Sequence, residues 1–388
     1  MPVVVLSAFN VSNFPEGGGH FWVYMQYAQG LRQAGCEVYW LERFVSSDDA
    51  ARDAAALSTF LARAAALGLG DRVILLDGPD PKLVPGARLE YRGLERSAAE
   101  AVFRRTDLLL NFHYAIDPEL LRRFRRTALV DIDPGLLQFW ISRGQLAVPP
   151  HDVYFTTGET VGTPAARFPD CGLRWVRIRP PVSLEHWPVV PEARDAAMTS
   201  VSGWDTGDWI VDGDIDYENT KRVTFLEYKG LPSLTPQRLE LALFLCTELD
   251  HRERRLMERH GWTIHHSRDV AGSPERYQAY IQGSRGEFSC AKPTCMKFQN
   301  AWVSDRTLCY LASGKPVVVQ DTGPSACLPN GEGMFRFSTP WQAVDALAAM
   351  NADYERHSRA ARALAETHFD AAKVAARILE SALGWPCA

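Results

Sequence analysis

The sequence lacks any pair of cysteines separated by two residues, although it contains eight cysteines in 388 residues. That spacing is typical of structural zinc sites, so its absence argues against a zinc ribbon. The apolar N-terminus has no preceding basic segment, so neither a secretory signal nor a disulfide framework is expected. We therefore expect a reducing, cytoplasmic compartment.

Long apolar runs and an excess of positive charge are also missing. No run approaches the roughly 20 residues needed to cross a bilayer, so a membrane span is not expected. The 42 Lys and Arg residues face 47 Asp and Glu residues, giving a net charge of −5, so no global field attracts nucleic acid. The remaining composition, 46% hydrophobic and 23% charged, is that of a soluble globular protein with room for two domains.

The first half of the chain alternates short apolar runs with helical patterns. Residues 3–6 are continuously apolar, which is typical of a parallel strand buried on both faces. A glycine-rich loop then leads into a helical pattern over residues 20–34, which Gly35 ends. Further apolar runs lie at residues 38–41, 73–76, 108–110, 128–132 and 153–156. A βαβ series of this length predicts a doubly wound parallel sheet.

The series breaks at residues 177–182, where two prolines predict a linker between domains. A second series follows, with a helix predicted over residues 239–249. Its strands are predicted at residues 199–202, 262–266, 287–290 and 316–319.

The predicted organisation has three parts. An N-terminal Rossmann-like domain covers residues 1–182, and a second covers residues 183–370. A C-terminal helix within residues 371–388 is expected to pack back toward the first domain. Because ligands of such sheets bind beyond the carboxyl ends of the strands, we expect a functional cleft between the two domains.

The segment from residue 304 to residue 323 concentrates polar groups at predicted element ends. Ser304 is suited to an N-cap, and Asp305 to the positive end of a helix dipole. Arg306 and Thr307 at that helix start, with Lys292 nearby in sequence, form a candidate diphosphate cradle. After the next strand, residues 320–323 read Gln-Asp-Thr-Gly and offer groups that hydrogen-bond to sugar hydroxyls.

This segment resembles the donor-binding half of bacterial GT-B glycosyltransferases, enzymes that use nucleotide sugars. It carries Ser-Asp-Arg at a helix start, then Tyr-Leu-Ala-Ser-Gly-Lys-Pro-Val and the Gln-Asp-Thr-Gly loop. The resemblance extends to Ser202-Gly203-Trp204, to Asp131-Ile-Asp133-Pro134 and to the glycine-rich opening, so it spans most of the chain. It implies a GT-B fold, with the acceptor on the N-terminal domain and the donor on the C-terminal domain.

The resemblance also implies roles for individual residues. Arg306 and Thr307 would contact the nucleotide diphosphate, and residues 320–322 would contact the donor sugar. One departure is Cys309, which occupies the place of a glutamate in many such enzymes, so ribose recognition must come from elsewhere. The predicted donor-binding residues are Gly18, Gly19, Gly203, Trp204, Ser267, Arg268, Lys292, Ser304, Asp305, Arg306, Thr307, Gln320, Asp321, Thr322 and Gly323.

Two residues compete for the role of catalytic base. His20 follows three glycines at the start of the first helix, where family 1-type inverting GT-B enzymes carry a histidine base oriented by an aspartate. Asp133 lies beside Pro134 at the end of a predicted strand, and strand alternation would put it on the same side as Asp131. We expect no metal at this pair. The predicted acceptor-binding residues are Trp22, Asn111, His113, Gln138 and Trp140.

The sequence leaves several functions open. The leading hypothesis is transfer of a sugar from a UDP- or dTDP-sugar to a small molecule, in natural-product or cell-surface glycoside synthesis. The nucleotide sugar would be a co-substrate, with no cofactor, no nucleic-acid partner and a homodimer as one expected state. The alternatives are a nucleotide-sugar epimerase, an NAD-dependent oxidoreductase and a non-catalytic sugar-nucleotide binder.

Overall fold

A computed structural model describes residues 1–80, 84, 86, 88–191 and 195–385. The first part of the chain forms an eight-stranded sheet in the order β4-β3-β2-β1-β5-β6-β7-β8, and we call this sheet with its helices the N lobe. All neighbours in it are parallel except β3 and β4. The strands are β1 (Val3–Ser7), β2 (Glu37–Val45), β3 (Val73–Gly78), β4 (Glu90–Gly93), β5 (Leu108–Asn111), β6 (Thr127–Asp131), β7 (Val153–Thr156) and β8 (Trp175–Arg177). The helices are α1 (Gly18–Gln33), α2 (Ala50–Ala66), α3 (Arg96–Arg105), α4 (Pro118–Leu121) and α5 (Leu136–Ser142).

The second part forms a six-stranded parallel sheet in the order β13-β12-β9-β14-β15-β16, which with its helices is the C lobe. Its strands, with the separate hairpin β10–β11, are β9 (Met198–Gly203), β10 (Trp209–Asp212), β11 (Ile215–Glu218), β12 (Leu239–Phe244), β13 (Thr263–His266), β14 (Gly286–Ser289), β15 (Val317–Gln320) and β16 (Met334–Phe337). Its helices are α6 (Lys221–Glu227), α7 (Glu248–Arg259), α8 (Ser267–Ala271), α9 (Pro274–Gln282), α10 (Pro293–Phe298), α11 (Asp305–Ala312), α12 (Pro340–Ala352) and α13 (Tyr354–Leu364).

The apolar runs become central strands because both of their faces are covered. Val4 and Leu6 of β1 point into the core beneath α1, whereas Val3 and Val5 point into the core beneath α3. Alternation sends successive side chains to opposite faces, so a strand buried on both faces must be apolar throughout. No helix of the described residues is both long and apolar enough to span a membrane.

One predicted helix is wrong. Residues 239–249 are not helical throughout, because residues 239–244 form strand β12, which pairs with β9 on one side and β13 on the other. The helix α7 begins only at Glu248, after the N-cap Thr247, whose hydroxyl accepts a hydrogen bond from the Asp250 N–H. A short apolar run fits a buried strand as well as a buried helix, and here pairing within the sheet decides between them.

The last helix, α14 (Ala371–Leu383), packs along α1 of the N lobe. The backbones approach closely at Gly30, where an added Cβ would lie 2.3 Å from the Ala371 carbonyl oxygen. Only glycine permits this distance. Residues 386–388 of the predicted C-terminal helix lie outside the described residues.

Candidate active site

A cleft of about 660 Å³ lies between the lobes, at the carboxyl ends of β9 and β12. The N lobe contributes the glycine-rich loop and the start of α1, and the C lobe contributes the end of β9 and the start of α11. The polar and glycine residues that line it include Gly17, Gly18, Gly19, His20, Ser202, Gly203, Lys221, Ser267, Lys292, Ser304, Asp305 and Arg306. Many of the residues predicted to bind the donor therefore share one cavity.

The glycine-rich loop allows the lobes to meet beside this cleft. An added Cβ at Gly18 would lie 2.3 Å from the Ser273 carbonyl oxygen of the C lobe, and one at Gly19 would lie 2.7 Å from the Tyr277 ring. Side chains at these positions would hold the lobes apart. Helix α1 begins at Gly18, two residues before the predicted start, without a side-chain cap.

His20 lines the cleft, and its ring is oriented by a main-chain carbonyl. Its Nε2 lies 2.8 Å from the Phe9 carbonyl oxygen, and its ring meets the Tyr24 ring edge-on at 5.3 Å. Because a carbonyl oxygen only accepts, Nε2 of the neutral ring carries the hydrogen and Nδ1 keeps its lone pair. Burial lowers the pKa of His20, which favours this neutral form. The expected orienting aspartate is therefore replaced by a backbone group.

Arg306 is held by the protein itself. Its Nε is 2.7 Å from Oε1 of the fully buried Glu287, Nη1 donates to the Val201 carbonyl and Nη2 donates to the Ser289 hydroxyl. These bonds tie the start of α11 to the ends of β9 and β14. Three of its five N–H groups are thus engaged, so the guanidinium supports the floor of the cleft.

Two lysines supply positive charge to the cleft. Burial, followed by the nearby Arg306 charge, lowers the pKa of Lys221 to about 7. Burial also opposes the charge of Lys292, but the Asp133 and Asp208 carboxylates outweigh it and raise the pKa of Lys292. The Lys292 ammonium lies 2.9 Å from Asp208. An added anion would relieve the mutual repulsion of these cations.

Lys221 was missed by the sequence analysis, although a local signal marks it. It is the first residue of α6, directly after the N-cap Thr220. A cation is unfavourable at the positive end of a helix dipole. Such a conflict with local preference is typical of functional positions.

A second cavity, of about 460 Å³, lies in the N lobe beyond His20. Its wall includes Phe9, whose carbonyl oxygen accepts the hydrogen bond of His20, and Tyr24, whose ring packs against the His20 ring. Most of the lining is aromatic or aliphatic, with one carboxylate from Asp133. The lining residues are Phe9, Tyr24, Phe112, His113, Tyr114, Ala115, Ile132, Asp133, Trp140, Gln145 and Leu146.

Asp131 at the end of β6 and Asp133 in the turn that follows have different environments, which corrects the expectation that they lie on the same side. Asp131 is fully buried and accepts hydrogen bonds from Gln138 and Thr156, and burial raises its pKa to about 7. Asp133 is exposed toward the second cavity, where the Tyr114 hydroxyl donates to it at 3.3 Å. The strand ends at Asp131, and the turn that follows redirects the chain.

Four predicted binding residues lie in the protein interior instead. The Trp22 indole donates to the Pro274 carbonyl and packs against Trp187, so it joins the lobes. The Trp204 indole donates to Glu253. Asn111 and Gln138 are fully buried, and their amides are engaged with the protein. Because they are enclosed, these side chains do not line the cavities.

The segment 320–323 at the end of β15 does not line the interlobe cleft. Gln320 accepts from the Ala291 N–H, Thr322 donates to the Trp302 carbonyl, and Asp321 lies 3.4 Å from Arg336. Gln320, Thr322 and Gly323, with Thr307, line a small cavity of about 30 Å³, which shares Trp302, Ser304 and Arg306 with the wall of the interlobe cleft. In this conformation that space holds about one water molecule and no sugar. Arg268 lies over the Phe244 ring, outside the cleft wall.

Two facing α/β units, one with a largely parallel and one with a parallel sheet, and a last helix that returns to the first unit define the GT-B fold. The fold class predicted from the sequence is therefore confirmed. No family model matches the sequence, and no curated protein matches it at significant sequence similarity.

Solved structures match over almost the whole chain. Sucrose-phosphate synthase from Thermosynechococcus elongatus is 12% identical, with a TM-score of 0.56 and 98% of each chain covered. HepE from Anabaena in complex with UDP-glucose is 12% identical, with a TM-score of 0.57 and coverage of 99% of this chain and 100% of that one. An alpha-glucosyltransferase in complex with UDP is 11% identical, with a TM-score of 0.61 and coverage of 98% and 99%. At these identities the likeness establishes the fold.

Proposed function

We propose that this chain is a glycosyltransferase that moves a sugar from a nucleoside-diphosphate sugar to a small-molecule acceptor, without a metal. The observation that carries the proposal is the position of His20 between two cavities. It lines the interlobe cleft, and the two residues that contact its ring, Phe9 and Tyr24, line the second, largely aromatic cavity. A base at that boundary could act on an acceptor in one cavity and a donor in the other.

The donor would lie in the interlobe cleft with its diphosphate near Lys221 and Lys292. Their ammonium groups, and the amides at the start of α11, which the N-cap side chain of Ser304 does not bond to, provide charge and hydrogen bonds for a diphosphate. Uridine diphosphate is the first nucleotide to test, because HepE and the alpha-glucosyltransferase were solved with UDP or UDP-glucose. The thymidine analogue is the second.

In the proposed reaction, His20 Nδ1 takes the proton of an acceptor hydroxyl or amine. The acceptor atom then forms a bond with the anomeric carbon of the sugar, and the bond from that carbon to the diphosphate oxygen breaks. Lys221, Lys292 and the helix amides would stabilise the charge of the departing diphosphate. The lowered pKa of His20 keeps the base unprotonated near neutral pH.

The acceptor would be an apolar or ring-containing molecule in the second cavity. Phe9, Phe112 and Trp140 offer ring faces, and Asp133 and Tyr114 offer hydrogen-bonding groups. A cavity of about 460 Å³ fits a small molecule. An acceptor subsite also favours transfer over epimerisation, because an epimerase needs none.

The proposal is tested first by thermal unfolding with a panel of nucleoside diphosphates. The nucleotide that the cleft binds should raise the unfolding midpoint by mass action. In Lys221→Met the same nucleotide should raise the midpoint less. Product formation is then followed by mass spectrometry with the matching nucleotide sugar and aromatic acceptors, in the presence of EDTA. Conversion of the donor alone into a sugar epimer, or stabilisation by NAD and by no sugar nucleotide, would overturn the proposal.

A further inference from the structure

A separate basic cavity of about 350 Å³ lies where the linker leaves the N lobe. It shares no residue with the interlobe cleft or with the aromatic cavity. It is lined by Glu159, Arg177, Ile178, Arg179, His368, Lys373, Val374 and Arg377. The wall thus combines the end of β8, the linker, the π-helical turn Ala365–Phe369 and α14.

Four permanent cations line this cavity, two at and just after the end of β8 and two on α14. Arg177 and Arg179 are two residues apart on extended chain, so their side chains project in similar directions. Lys373 and Arg377 are four residues apart on α14, so they lie on one helical face. Cations gathered this closely repel one another unless an anion joins them.

The one carboxylate in the wall is already engaged. Glu159 accepts from the Ser325 hydroxyl at 2.6 Å, from the Ala326 N–H at 2.7 Å and from Arg179 at 2.8 Å. It therefore offsets Arg179 and leaves the other three cations in excess.

Nearby acidic residues compensate little of this excess. The Glu366 carboxylate binds Arg362, and Lys373 donates to the main-chain oxygen of Glu366. Glu380 lies 3.6 Å from Arg377, and both side chains are more than half exposed, so that pair is weak. Burial lowers the pKa of His368, and the charges of Arg179 and Lys373 lower it further, as expected in a positive field.

We propose that this cavity binds a small, soluble ligand carrying two or more phosphate charges. Guanidinium groups present planar pairs of N–H donors that match phosphate oxygens, and the volume exceeds that of a single phosphate. The site lies on the linker, and its Arg179 also holds Glu159, which binds the C-lobe loop after β15. A bound anion competes with Glu159 for Arg179. The inference is independent of the proposed glycosyltransferase activity.

The test uses inorganic pyrophosphate with the full-length protein and observes the His368 imidazole by NMR, assigned with His368→Gln. Binding in the cavity should shift this resonance and raise the pKa of His368, because an anion stabilises the imidazolium form. The readout is local, so pyrophosphate bound in the interlobe cleft does not imitate it. The site variant is R177Q/R377Q, which removes two exposed cations. The control R174Q/R359Q changes the net charge equally on exposed arginines outside the cavity wall.

We expect the site variant to weaken pyrophosphate binding at His368 by about tenfold or more, whereas the control stays within about twofold of wild type. Circular dichroism should give the same fold for both variants. An unchanged His368 resonance, or equal weakening in both variants, would overturn the proposal. Sedimentation with phosphatidylcholine vesicles containing phosphatidic acid tests the membrane alternative. Vesicle binding through the same arginines, without any response to pyrophosphate, would also refute a soluble ligand.

Discussion

Removal of the Arg306 guanidinium should destabilise the C lobe before it affects any chemistry. The Glu287 side chain has no solvent exposure and the Arg306 side chain has 8%, with 2.7 Å between Nε and Oε1. Arg306→Ala leaves a buried carboxylate without its partner, which costs about 3–5 kcal/mol. For a lobe of this size, that corresponds to a fall of order 10 °C in the unfolding midpoint.

A double variant separates the cost of the unpaired charge from any ligand contact. In Arg306→Met/Glu287→Met both charges are replaced by apolar side chains, and most of the lost stability should return. The control is Arg359→Ala, because Arg359 and Glu355 form a pair with 73% and 89% of their side chains exposed. That substitution should cost less than about 1 kcal/mol.

The assay is urea unfolding followed by circular dichroism, together with calorimetric titration of uridine diphosphate into each folded variant. The resemblance implied that Arg306 contacts the diphosphate, and the structure adds a supporting role through Glu287. Suppose that Arg306→Ala unfolds at the wild-type midpoint but no longer binds the nucleotide. The guanidinium would then serve the ligand alone, and the reasoning from the buried pair would be refuted.

Three further predictions concern the cleft. His20→Ala should lower kcat by about 10²–10⁴-fold with an unchanged donor Kd. The acid limb of the wild-type pH profile should have its midpoint below 6.5, because the base must be neutral and burial lowers the pKa of His20. Full activity in His20→Ala would transfer the role of base to Asp133, which Asp133→Asn then tests. The affinity for a nucleoside diphosphate should fall as pH rises through about 7, because Lys221 then loses its proton. This pH dependence should vanish in Lys221→Met. An identical pH dependence in the variant would exclude Lys221 as its source. Gly18→Ala should weaken donor binding and enlarge the radius of gyration in solution scattering, because the new Cβ would lie 2.3 Å from the Ser273 carbonyl oxygen. A variant with the wild-type radius of gyration and donor affinity would contradict the close contact between the lobes.

The parts of the fold that depend on residues close together in the sequence were predictable from it. The apolar run of β1, the glycine-rich loop before α1 and the helix–strand unit of α11 and β15 each follow from short-range patterns. The presence of His20, Lys292 and Arg306 at element ends also follows, because ends are marked by glycine, proline and capping residues. Residues 239–244 were the exception, because their pattern fits a helix and a strand equally.

The partners of the polar side chains depended on contacts between distant parts of the chain. Trp22 is an aromatic residue two positions after His20, which lines the cleft, yet the Trp22 indole donates to the Pro274 carbonyl at the interface between the lobes. Asn111 and Gln138 are polar, yet both are enclosed by neighbouring loops. Burial of a side chain is a property of the packed lobes, and the local sequence does not specify it.

The sequence by itself determined two Rossmann-like units and the residue types at the ends of their strands, because hydrophobic periodicity and capping act over a few residues. The tertiary structure alone decided the chemistry of those groups. It gave His20 a carbonyl partner, gave Arg306 a buried carboxylate, and buried Lys221 near Arg306, which together lower the pKa of Lys221. Electrostatic interactions act through space, so they are fixed only when residues far apart in the chain are packed together.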